Sequence, residues 1–220
     1  MRSSAEDDPA RGAGRAWAAL AALLGLGAVA VFAVASSDAR AFAALSAAID
    51  WEPGLVLRQP WRAWSAAWLH FSGLHLAANL AGAALVAALG WVGRLPRRSV
   101  LAWFVAWPLT QLGLLARPDL VHYGGLSGVL HAGVAVAALH LIVAARGPRR
   151  VIGLALLAML VAKVLSETPW GDALRHPAGW DIAVAPFAHL SGLIAGLLAS
   201  AVAEVLHHGR PLTIDRHGRT

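Results

Sequence analysis

Six apolar stretches, read as candidate membrane spans, divide this sequence at about residues 16–35, 74–92, 100–116, 125–145, 151–165 and 182–206. Roughly 20 helical residues cross a hydrocarbon layer. Within it the backbone has no water to bond, so only helices and closed barrels leave no N–H or C=O unpaired. The period-2 alternation of barrel strands is missing. Gly and Ala are frequent inside the stretches, where in lipid they permit close helix approach. The expectation is an all-α polytopic membrane protein, a six-transmembrane-helix domain over residues 16–206 between disordered polar tails at 1–15 and 207–220. The first stretch reads as an uncleaved anchor, being longer than the core of a signal peptide.

Charge placement gives the orientation. Only 14% of residues are charged, well below the roughly 25% of a soluble domain. Twelve arginines fall before the first stretch (Arg2, Arg11, Arg15), between the second and third (Arg94, Arg97, Arg98), between the fourth and fifth (Arg146, Arg149, Arg150) and after the sixth (Arg210, Arg216, Arg219). Five occupy the alternate loops, beside most of the acids. The positive-inside rule then puts both termini in the cytoplasm. The net charge of +6 is topology information, not a nucleic-acid footprint. The long outer loop, residues 36–73, carries Trp51, Trp61, Trp64 and Trp68 around Arg58 and Arg62, which reads as an interfacial belt.

Polar groups inside apolar spans are costly and mark function. Ser127 lies in Gly124-Gly125-Leu126-Ser127-Gly128 at the mouth of the fourth span, and His189 in Ala188-His189-Leu190-Ser191-Gly192 in the sixth. A hydroxyl and an imidazole within hydrogen-bond reach form a nucleophile and its base. Gly125 and Gly128 strip bulk from both sides of Ser127, leaving room for a substrate backbone. Gly192 and Gly196 follow His189 on one helical face, so the sixth helix is expected against Gly128 and Ala132 of the fourth. His75 and Asn79, four apart on the second span, share a face and offer donors to an oxyanion, as does the Ser127 amide at a helix start. His131, one turn after Ser127, is a supporting residue. No carboxylate has an obvious place beside His189, so a Ser–His dyad is expected, its imidazole oriented by packing and by neighbours such as Tyr123. Lys163 is expected to snorkel.

These residues resemble the rhomboid intramembrane serine proteases. Trp61-Arg62 resembles the outer-loop Trp-Arg pair of that family. His75-Leu76-Ala77-Ala78-Asn79 resembles its His-x-x-x-Asn, Gly125-Leu126-Ser127-Gly128 its Gly-x-Ser-Gly, and residues 188–196 its Ala-His-x-x-Gly-x-x-x-Gly. The run Gly125 to His131 resembles the rhombosortase branch, with Ala132 standing where Gly is expected. The resemblance implies a rhomboid-like bundle in a bacterial inner membrane, with its active site near the outer face. Ser127 would be the nucleophile, His189 the general base and acid, and His75, Asn79 and Ser127 the oxyanion site, with no cofactor and no metal. The implied substrates are membrane-anchored exported proteins carrying a C-terminal Gly-Gly, a transmembrane helix and a basic end. The partners are these substrates and the lipid bilayer, with no nucleic acid. An inactive rhomboid-like protein that binds or sorts membrane clients is the alternative. A transporter or cofactor protein using His75, His131, His140 and His189 as ligands is a third reading.

Overall fold

A computed structural model describes residues 9–208. The chain forms α1 (Pro9–Ala35), α2 (Ala39–Ile49), α3 (Arg62–Ser65), α4 (Gly73–Gly93), α5 (Arg97–Leu112), α6 (Ser127–Ala144), α7 (Pro148–Ser166) and α8 (Pro186–His208). Among the described residues there is no strand, only isolated antiparallel bridges at Trp51–Tyr123 and Arg175–Val184. The all-α reading therefore holds. Local chemistry sets several boundaries. Asp38 caps α2 through the amides of Arg40 and Ala41, and Ser72 caps α4 through the amide of His75. Pro148 opens α7, where its missing N–H costs nothing.

Five helical segments are long and apolar enough to cross a membrane: Gly12–Ala35, Gly73–Gly93, Arg97–Ala116, Ser127–Ala144 and Pro186–His208. The expected fifth span, now α7, is absent from this set because it carries Arg149, Arg150 and Lys163. It nevertheless runs from one end of the bundle to the other. Arg149 in its first turn donates to the Gly93 carbonyl at the end of α4, and Glu167 at its far end meets His189 near the start of α8. Two further expectations change. Residues 9–15, read as tail, begin α1, and α8 continues to His208. The rest of both expected tails, 1–8 and 209–220, lies outside the described residues.

The core lies where α1, α4, α5, α6 and α8 meet, around Trp17, Leu24, Trp103, Trp107, Leu126 and Val129. The Trp17 and Trp103 rings pack with centroids 4.5 Å apart and planes tilted by 32°. Buried indole N–H groups need acceptors. Trp17 donates to the Val86 carbonyl at 2.7 Å, Trp103 to Val129 at 2.8 Å and Trp107 to Trp64 at 3.0 Å, each tying one segment to another. Leu26, Leu85, Leu101, Met159 and Leu198 stand exposed on the outside of the bundle, as lipid-facing residues must.

α8 lies directly on α6. A Cβ added at Gly192 would collide with the Gly128 carbonyl, and one at Gly196 with the Ala132 carbonyl. The loop at residues 36–73 departs from the belt reading. Trp61 and Trp64 are partly exposed, but Trp51 and Arg62 are buried at 0% and 1% exposure. Trp51 pairs its backbone with Tyr123, at 2.7 and 3.1 Å, and the Gly125 amide donates to the Ala66 carbonyl at 2.9 Å. The loop is therefore folded against the segment that leads into Ser127.

Candidate active site

Ser127 is the first residue of α6, so its amide is among the N–H groups with no partner inside the helix. His189 lies in the first turn of α8. The contact between these helices brings Ser127 Oγ to 2.9 Å from His189 Nε2. His189 Nδ1 lies 2.6 Å from Glu167 Oε2. This overturns the expectation that no carboxylate stands beside the imidazole. Glu167, one residue past the end of α7, also forms an ion pair with Lys163, four residues earlier. Lys163 thus turns to a carboxylate instead of snorkelling freely.

The imidazole is positioned differently from expectation in a second respect. Tyr123 donates to the Gly125 carbonyl at 3.2 Å. The ring stacked on His189 is His131, with centroids 4.2 Å apart and planes 8° from parallel. His131 Nδ1 donates in turn to the Ser127 carbonyl at 2.7 Å, which fixes the stacking ring.

Gly125 has φ +139°, a conformation side chains resist, and a Cβ there would strike the His75 ring. Gly128 does not leave room for substrate as expected. Its open side faces the Ala188 carbonyl and Thr110, so its small size serves the approach of α8. Asn79 Nδ2 lies 3.1 Å from both the His75 carbonyl and His70 Nε2. Its amide hydrogens are spent within the protein. His70 donates through Nδ1 to the Trp68 carbonyl at 3.1 Å, which leaves Nε2 to accept. Burial lowers the pKa of His70, favouring this neutral form. His75 Nδ1 is buried without a partner.

Ser127, His189, Glu167, His75, Asn79 and His131 line one cavity of about 700 Å³ between α4, α6, α7 and the 174–186 segment. That segment lines it and is pinned by a hydrogen bond from Ser72 Oγ on the α4 side to Asp181 Oδ1 at 2.8 Å. His122 and His176 also line the cavity. His140 sits toward the opposite end of α6, joined to Glu204 at 2.7 Å, so it does not converge with the other span histidines. Among the described residues, Asp50, Glu52 and His122 alone gather enough ligand atoms for a metal. Arg62 already supplies the cation there, 2.5 Å from Asp50 and 3.6 Å from Glu52.

Comparison with known proteins adds one match. A family model described as Rhomboid domain matches residues 57–204, more than half of the chain and all of the site just described. No curated protein matches.

Proposed function

The chain belongs to the rhomboid family of intramembrane serine peptidases, and we propose that it is an active endopeptidase that cleaves membrane-anchored proteins with Ser127 as nucleophile and His189 as base. The observation carrying this reading is the 2.9 Å separation of Ser127 Oγ from His189 Nε2 inside the cavity. In this mechanism Nε2 takes the hydroxyl proton as Ser127 attacks the scissile carbonyl, then returns it to the leaving amine. The oxyanion of the tetrahedral intermediate forms beside the Ser127 amide and His75, which offer N–H donors, and Asn79 joins them by exchanging its bond to His70 for one to the oxyanion.

The proposed substrates carry a C-terminal Gly-Gly ahead of a transmembrane helix and a basic end, as the Gly125 to His131 run suggests. A helix in lipid hides its carbonyls in hydrogen bonds, so cleavage requires local unwinding. Gly favours this, costing a helix about 1 kcal/mol relative to Ala. The proposed setting is a bacterial inner membrane crossed six times, with α7 as the fifth crossing, both termini cytoplasmic and the site near the outer face. The contacts of Arg149 with Gly93 and of Arg98 with Glu204, the latter at 3.1 Å, support one arginine-rich end opposite the site.

The test uses reconstituted protein, a fluorophosphonate probe and a membrane substrate bearing Gly-Gly. Wild type is expected to label at Ser127 and to cleave next to the glycines. Ser127→Ala and His189→Ala are expected to do neither. Undiminished cleavage by Ser127→Ala overturns the mechanism. Wild type that neither labels nor cleaves favours a client-binding protein.

A further inference from the structure

We infer that Glu167 is a positioning residue that holds the His189 imidazole through Nδ1, extending the Ser127–His189 pair to a Ser–His–Glu arrangement; this rests on the mechanism proposed above.

An ionised carboxylate can only accept, so with Glu167 Oε2 2.6 Å away the proton of neutral His189 belongs on Nδ1. Nε2 then presents its lone pair to the Ser127 hydroxyl at 2.9 Å. A swivelled ring or the other tautomer would leave Ser127 without a base. When Ser127 attacks, its proton passes to Nε2 and the proton on Nδ1 stays in place. The resulting imidazolium faces a carboxylate, which steadies the charge without being protonated.

The surroundings are built to keep Glu167 both ionised and aimed. Lys163, one turn back on α7, pairs with Oε1 and leaves Oε2 for His189. Arg175 binds the Glu167 main chain, donating from Nη1 to its carbonyl at 2.9 Å and to Thr168 Oγ1 at 2.6 Å. Burial opposes ionisation of Glu167, but the hydrogen bond and charge of His189, followed by Lys163, hold its carboxyl down to about 2. The other titratable groups around the imidazole are His131, stacked on its face, and His75 across the cavity.

The experiment measures fluorophosphonate labelling against pH for wild type, Glu167→Gln and Glu167→Asp in lipid vesicles. The labelling end point counts folded sites and the rate reports Ser127 reactivity. Glu167→Gln is expected to slow labelling by about 10⁴-fold, the size of loss seen when the carboxylate behind a catalytic histidine is removed. Its acid limb is expected to move to lower pH, because the imidazolium loses its counter-charge. Glu167→Asp, which keeps the charge, is expected to recover part of the rate and the wild-type limb. Glu167→Gln with wild-type rate and limb, while Ser127→Ala and His189→Ala are silent, overturns this inference and leaves the mechanism standing. A slower rate with an unmoved limb also overturns it, since it reduces Glu167 to a structural role. Continued labelling of Ser127→Ala at another residue refutes the underlying mechanism instead.

Discussion

Gly192 on α8 rests against the main chain of Gly128 on α6, so closely that a methyl group at Gly192 would collide with the Gly128 carbonyl oxygen. The obstacle is backbone on both sides and cannot rotate away. The helices must part, and His189 lies one turn before Gly192 while Ser127 immediately precedes Gly128. Gly192→Ala is therefore expected to destabilise the protein by about 1–3 kcal/mol, as overpacking does. It is also expected to slow Ser127 labelling by more than the loss of folded protein explains. Thermal unfolding in detergent and labelling rate, measured on the same preparation, check this.

The pairing of α6 with α8 was legible in the sequence because it depends on spacing alone. Gly128 and Ala132 on one span, and Gly192 and Gly196 on another, each repeat at four residues, and small faces meet in lipid. The Ser127–His189 contact follows from that register. Glu167 was not legible. Its meeting with His189 depends on where α7 ends relative to α8, which no local pattern states. A faint signal did exist: Lys163 and Glu167 are four apart at the close of an apolar segment, a pairing that aims a carboxylate. The burial of Trp51 and Arg62 is not legible for a related reason. Indole and guanidinium groups in a loop look interfacial by composition, whereas their burial depends on the loop folding onto Tyr123 and Gly125.

His75 and Asn79 should separate under substitution. Each side-chain donor to an oxyanion is typically worth about 3–4 kcal/mol. His75→Ala is expected to lower kcat about 10²- to 10³-fold with little change in KM, since the group acts on the intermediate. Asn79 also bonds His70 and the His75 carbonyl, so Asn79→Ala is expected to lower both kcat and the unfolding temperature. Equal unfolding temperatures for the two variants would remove this structural role from Asn79.

Arg62 holds the loop at residues 36–73 together. Its guanidinium donates to Asp50 Oδ1 at 2.5 Å, to the Asp50 carbonyl at 2.8 Å, to Gln59 Oε1 at 2.7 Å and to the Ala47 carbonyl. Removing one member of a buried pair leaves the other charge uncompensated, at a cost of about 3–5 kcal/mol. Arg62→Ala is expected to lose that much. Arg62→Lys is expected to recover only part, because an ammonium lacks the planar fork. Proteolysis of residues 36–73 in intact vesicles would show the loop loosening in the same order.

Acid stability follows from Glu167. Its carboxyl is held at about 2 against an ordinary 4.5, because the hydrogen bond and charge of His189 and then Lys163 outweigh the opposing effect of burial. A depressed carboxyl stabilises the fold fully above its unfolded pKa and loses that contribution as pH falls through the folded one. The window is therefore 4.5 down to about 2. Wild type is expected to lose unfolding temperature across this window more steeply than Glu167→Gln, which has no proton to gain. Parallel curves for the two proteins would show that the ionised carboxyl contributes nothing to folding.

Asp181 fastens the segment 174–186, which lines the cavity, to the start of α4 through Ser72 Oγ. The bond is solvent-exposed, which keeps a hydrogen bond to a carboxylate within the about 0.5–1.5 kcal/mol net contribution of a typical intramolecular one. Asp181→Ala is thus expected to raise the open population of the segment by about 2- to 10-fold. A bulky fluorophosphonate, which needs the segment displaced, should then label Ser127 faster by that factor, whereas a small one that fits the closed cavity should not. Ser72 also caps α4 by accepting from the His75 amide at 3.1 Å, so Ser72→Ala would loosen the helix start as well. Asp181 is the cleaner position for the measurement, because its loss leaves that cap intact. Equal acceleration of both probes would indicate a general loosening of the site, and no acceleration of either would mean that access to Ser127 does not pass this segment.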